Sequence, residues 1–138
     1  MTKLAFTCGD PAGVGPEVIA TWLTQHATES AAIAVIGPAR WLATLPVGIE
    51  RVAVGASDYV ATLGEPDEAG ARIALAAMEM AAAGCRAGRF SGVVTGPVSK
   101  ARLASVGYMF PGQTEFFAAR WGGEPVMAFC GGRLRVVL

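Results

Sequence analysis

Histidine is almost missing from this 138-residue sequence: His26 stands alone. One imidazole without a carboxylate cluster does not make a transition-metal site, and its place late in an amphipathic stretch suits a helix C-terminus. Cysteine is scarce too. Cys8, Cys85 and Cys130 are odd in number, widely spaced and in no CxxC pair, which argues against a disulfide framework or a zinc site. All three read as reduced thiols acting as small buried hydrophobes in a cytoplasmic protein. Charge of one sign is absent, since 11 Lys and Arg balance 11 Asp and Glu. Without a basic stripe there is no footprint for nucleic acid. Long apolar runs are absent as well, although 53% of the residues are hydrophobic. The apolar stretch "SAAIAVIGPA" is interrupted by Gly37 and Pro38, far short of the roughly 18 residues of a membrane span. "MTKLAFTCGD" lacks the basic start and apolar middle of a signal peptide. There is no G-x-S-x-G elbow, Cys/His pairing signal or internal repeat.

What is present is an alternation of β-rich runs and helical periods in a chain long enough for one domain. "KLAFT" (3–7) reads as a strand, followed by a helix from "GVGPEV" in which Pro16 and Glu17 open the first turn. Val18, Ile19, Trp22 and Leu23 recur on one helical face. Strands are expected at 31–37, 49–55 and 90–96, with a short helix at 39–43 between the first two. Residues 65–88 form the clearest helix, opened by Pro66, Asp67 and Glu68 and closed by Gly84 or Gly88. Its alanines would let it lie close against a sheet. A short helix begun by Pro97 (97–107), one from Thr114 to Trp121, and strands at 124–130 and 133–138 complete the reading. The pattern predicts an α/β fold with a largely parallel sheet. Arg133–Leu138 reads as a strand in mid-course, so the chain is expected to be an N-terminal portion of something longer.

Three stretches hold candidate chemistry. "CGDPAGVGPE" (8–17) lies at a strand-to-helix junction, where Asp10 and Gly13 belong to a tight turn. Its spacing matches neither the dinucleotide fingerprint nor a P-loop, and Glu17 already serves the helix dipole, so a structural turn and a ligand loop both stay open. "TGPVSK" places Thr95 and Lys100 beyond a strand's carboxyl end, the usual ligand side of an α/β sheet. Lys100 reads either as a partner for phosphate or carboxylate or as a solvated lysine. In "FPGQTEFF", Thr114 can cap the next helix, while Gln113 has no structural duty and both donates and accepts hydrogen bonds.

Taken together, "TCGDPAGVGPEV", "VVTGPVSKARLASVGYMFPGQTEFFA" and the Ala-rich helix before the second resemble the 4-hydroxythreonine-4-phosphate dehydrogenase family. "GDPAGVGPE" also resembles the opening of the isocitrate and isopropylmalate dehydrogenases. The resemblance implies their three-layer α/β/α fold, here incomplete, with residues 1–138 as the N-terminal portion of a two-domain dehydrogenase. Residues 124–138 would begin the strands leading into the second domain. It further implies NAD- or NADP-dependent oxidation of 4-phosphooxy-L-threonine, a small phosphorylated hydroxy amino acid. The product decarboxylates to 3-amino-2-oxopropyl phosphate on the way to pyridoxal phosphate. A divalent metal (zinc, magnesium or cobalt) assists, and the site lies between domains of a homodimer. The family's metal-binding histidines fall beyond the residue matching Leu138, so no metal ligand and no catalytic residue is assigned within this chain. Gln113 and Thr114 take the substrate-binding positions, with one departure. Most relatives read Gly-His-Thr-Glu, and Gln113 stands where they have His. That leaves room for a paralogue acting on another phosphorylated hydroxy acid or a cyclic diol carboxylate, or for a non-catalytic binding module.

Overall fold

Four short strands come together as one parallel sheet in the computed structural model, which describes residues 3–138. Strands β1 (Lys3–Thr7), β2 (Ile33–Gly37), β3 (Glu50–Ala53) and β4 (Phe90–Thr95) lie in the order β3-β2-β1-β4. Helices cover both faces. On one, α1 (Gly15–Gln25) and α2 (Ala39–Leu42) bury Ile19, Leu23 and Leu42 against Phe6, Ile33 and Val35. On the other, α3 (Glu68–Arg86) sets Ile73, Ala77 and Ala81 against Ala5, Ala34 and Ile36. The alanines bring that helix close to the strands, as expected. A third cluster forms behind α3, where Ala74, Met78 and Ala82 meet Leu103 of α4 (Lys100–Ser105) and Phe116 and Phe117 of α5 (Gln113–Trp121).

Several boundaries differ from the sequence reading for identifiable reasons. Ala31 and Ala32 belong to a 3-10 turn, Ala27–Ala32, fastened where the Ser30 hydroxyl donates to the Ala27 carbonyl at 2.7 Å. The third strand is confined to Glu50–Ala53. Helix α3 starts at Glu68 because Asp67 caps it, accepting the Gly70 N–H at 2.6 Å. Gly84 lies within that helix, and Gly88 follows its end. Helix α4 starts at Lys100, not Pro97: Ser99 is the cap, and the Pro97 carbonyl is already engaged by the Asp10 N–H at 2.8 Å. Residues 124–127 form no strand, and β5 (Ala128–Gly131) pairs with β6 (Leu134–Val137) as a separate antiparallel hairpin. Nor are the cysteines alike: Cys8 is buried, Cys85 partly so, and Cys130 exposed. His26 ends α1 as expected, its ring stacked on Trp22 and its Nδ1 2.8 Å from the Trp22 carbonyl.

Candidate functional site

The chain runs β1, β2, β3 outward, then returns to place β4 on the other side of β1. The loops after β1 and β4 therefore flank the topological switch point, where open α/β sheets commonly bind ligands. Here that crevice is filled by backbone. The Gly96 N–H donates to the Thr7 carbonyl at 2.9 Å, and Asp10 is tied to Pro97 as described. A Cβ on Gly9 would overlap the Pro97 carbonyl, and one on Gly96 would stand 2.6 Å from the Cys8 carbonyl oxygen. Only glycine permits this approach. The Asp10 carboxylate is occupied too, accepting the Ala12 N–H at 3.0 Å.

Space opens instead beside the switch point, on the α5 side. A cleft of about 480 Å3 is lined by Val93 and Thr95 of β4, by Gln113, Thr114, Phe117 and Trp121 of α5, and by Glu124 and Val126 beyond it. Helix α5 is held rigidly. Phe116 is fully buried, and Arg120 lies over its ring at 3.6 Å while pairing with Glu79 of α3. The Trp121 indole donates to the Ala82 carbonyl at 3.2 Å, and the Tyr108 hydroxyl donates to the Gly112 carbonyl at 2.7 Å. With Phe116 and Arg120 facing α3, the stripe Gln113, Phe117, Trp121 at four-residue spacing faces the cleft.

The polar groups there are unusual. Gln113 Oε1 is buried with no hydrogen-bond partner; outside the cleft lining the same holds for the Oγ1 of Thr7, the residue in register with Thr95. Buried polar atoms are nearly always paired, so an orphan acceptor calls for a donor from elsewhere. Thr114 does not cap α5. The cap is Gly112 in extended backbone, and Thr114 is the second helical residue, its side chain lining the cleft.

Sequence reasoning thus brought Thr95, Gln113 and Thr114 to one place. It did not unite the rest: Lys100 is exposed at the start of α4, and Asp10 and Gly13 sit at the switch point, all outside the cleft lining. It also missed Val93, Trp121, Glu124 and Val126. The four-residue repeat from Gln113 carried a signal for Phe117 and Trp121. No local pattern marked the others.

A parallel four-stranded sheet with helices on both faces and a polar-and-aromatic cleft beside β4 defines an α/β protein. Residues 10–138 match the model of the pyridoxal phosphate biosynthetic protein PdxA. The chain belongs to the PdxA family. It is 37% identical to a 4-hydroxythreonine-4-phosphate dehydrogenase of Zymomonas mobilis, over 99% of this chain and 47% of that protein. It is 39% identical to one from Erythrobacter litoralis, over 97% and 47%. The chain therefore spans about half the length of the curated relatives it matches. Its fold superposes on a 4-hydroxythreonine-4-phosphate dehydrogenase from Klebsiella pneumoniae with a TM-score of 0.81 at 24% identity, covering 99% of this chain and 50% of that one. A terephthalate 1,2-cis-dihydrodiol dehydrogenase from Burkholderia xenovorans aligns at 0.69 and 26% identity, over 99% and 47%. No helix among the described residues is long and apolar enough to cross a membrane.

Proposed function

We propose that this chain forms the N-terminal half, and one wall of the substrate site, of a cytoplasmic homodimeric dehydrogenase that oxidises 4-phosphooxy-L-threonine with NAD or NADP. The assembled fold would be that of the isocitrate and isopropylmalate dehydrogenases, with residues 124–138 beginning the strands into the second domain. The observation that carries the reading is the orphaned Gln113 carbonyl oxygen in the Thr95–Thr114 cleft. A substrate ammonium or hydroxyl would supply the missing donor, while the Thr114 hydroxyl can donate to a carboxylate or phosphate oxygen. Phe117 and Trp121 would keep water from the far wall. Gly13 and Lys100 are proposed as nucleotide or phosphate contacts of the assembled enzyme, and Asp10, whose carboxylate accepts the Ala12 N–H, as the residue that shapes their loop. Gly13 is exposed, and a Cβ there would meet only Asp10, at 3.4 Å.

The family's metal does not fit this chain. Among the described residues no group of three or more His, Cys, Asp or Glu is arranged to hold one. Its ligands would have to come from the other half, and the isolated chain is expected to be inactive. A second reading rests on Gln113 in place of the histidine. Glutamine cannot become cationic, and the likeness to a dihydrodiol dehydrogenase is consistent with a cyclic diol carboxylate substrate.

The test is a chimera joining this chain to the unmatched half of the Zymomonas relative, assayed by nicotinamide reduction. Turnover of 4-phosphooxy-L-threonine is expected. Gln113→Ala should raise KM about 10- to 100-fold, the equivalent of losing a hydrogen bond to a charged group, about 1.5–3 kcal/mol. Unchanged kinetics would remove Gln113 from the site. Turnover of a cis-dihydrodiol carboxylate alone would favour the second reading.

A further inference from the structure

Helix α5 presents Gln113 and Thr114 to the cleft, yet little in its own sequence fixes where it begins. Its nine residues are fewer than the roughly 12–15 at which a helix stands alone in water. Its cap, Gly112, has no side chain to accept the free first-turn amides. The start of α5 must therefore be set by tertiary contact.

Arg120 supplies that contact from the far end of the helix. Its side chain runs back toward the helix start, the direction helical side chains take. The guanidinium lies 3.6 Å from the centre of the Phe116 ring and 5.0 Å from that of Phe110, in the turn before α5. One terminal nitrogen donates to the Phe116 carbonyl at 3.3 Å. Nε and the other terminal nitrogen donate to the two carboxylate oxygens of Glu79 on α3, Nε at 2.7 Å. Phe110 and Phe116 meet edge-on at 5.6 Å, and Tyr108 packs on both. The Tyr108 hydroxyl in turn donates to the Gly112 carbonyl. One cation thus joins α3, the turn before α5 and α5 itself.

We infer that Arg120 is a positioning residue: with Glu79 it clamps the Tyr108, Phe110 and Phe116 cluster and so fixes where Gln113 and Thr114 stand in the cleft. Arg120 is outside the cleft lining, so it acts through those two residues and not on substrate. A lysine would keep the charge but lose the flat, two-pronged contact. The inference rests on the reading of Gln113 and Thr114 as substrate contacts, while the clamp can be tested without it.

Amide hydrogen exchange on the 138-residue chain is the first arm of the experiment. Arg120→Met keeps apolar bulk and removes the cation. Exchange at the Phe116 and Phe117 amides should speed up about tenfold or more, while β1 amides change by less than about twofold. Arg120→Lys should fall between. Arg72→Ala, which breaks the exposed Arg72–Glu68 pair on α3, should leave α5 unchanged. If circular dichroism shows Arg120→Met misfolded, Glu79→Gln takes its place. The second arm is steady-state kinetics in the chimera described above. Arg120→Met should raise KM about tenfold with kcat little altered. Gln113→Ala added to it should cost less than about twofold more, since both changes remove the same contact. Unchanged α5 exchange, acceleration shared equally by β1, or full additivity of the two substitutions would overturn the inference. A loosened α5 beside a Gln113→Ala variant of unchanged kinetics would support the clamp and fault the substrate reading instead.

Discussion

Cys8 and Cys130 carry the same thiol in opposite surroundings. Cys8 is fully buried after β1, and burial pushes its pKa up to about 12, with the nearby Asp10 carboxylate adding to the shift. Cys130 is exposed in β5. Because the thiolate is the nucleophile, iodoacetamide at pH 8 should label Cys130 within minutes and Cys8 only after denaturation. Peptide mass spectrometry would show it, and early labelling of Cys8 would mean that the β1–β4 junction opens readily. The sequence offered no way to separate the two, since exposure is a property of neighbours. Gln113 was more legible: a polar amide between a Pro-Gly turn and a Phe pair has no local duty, and the structure leaves its oxygen without a partner. Thr114 was misjudged as a cap because the turn places extended Gly112 at that position instead.

Among the elements, α3 was the most readable, for alanine spacing and an Asp at its start need no tertiary information. The cap does two jobs, since Asp67 Oδ1 accepts both the Gly70 N–H and the Tyr59 hydroxyl, the latter at 3.1 Å. Burial and this bond to the carboxylate raise the Tyr59 pKa to about 12. Asp67→Ala should therefore cost about 1–2 kcal/mol, measured as a lower urea midpoint. Asp67→Asn should retain most of the stability because the acceptor survives. A loss below about 0.3 kcal/mol for the alanine variant would show that the cap is replaced by water. Helix α4 was less readable. Pro97 looks like a helix opener, but its carbonyl is taken by Asp10, a partner 87 positions earlier in the chain.

At the scale of the whole molecule, Glu50 ties the amino ends of three strands together. Its carboxylate on β3 pairs with Lys3 of β1 at 2.8 Å and with Arg89, just before β4, at 2.6 Å. The hydrogen bonds from Lys3 and then Arg89 hold its pKa below the ordinary 4.5. A depressed carboxylate stabilises the fold above its unfolded pKa, and that contribution is lost as pH falls through the lower folded value. Glu50→Gln should thus destabilise the protein by about 0.5–1 kcal/mol at pH 7, small because the pair is part-exposed. The gap between the two proteins should close as pH drops below 4.5. Urea titrations of both at pH 7 and at pH 3 would check this, and a gap independent of pH would assign the loss to packing.

By itself the sequence determined the alternation of strands and helices, the parallel sheet, the family, and the presence of Thr95, Gln113 and Thr114 near a strand's carboxyl end. Those are local quantities: side-chain period, cap chemistry, turn residues and a motif. Tertiary structure alone decided that the switch-point crevice is closed by Gly9 and Gly96, because that contact joins residues 87 positions apart. It likewise decided that the cleft opens toward α5, since Glu79, Ala82 and Phe116 fix where that helix lies. Which strand ends up at the edge is equally a matter of sheet order. Val93 and Val94 read alike in a central strand and at an edge, and only the place of β4 beyond β1 tells the two apart.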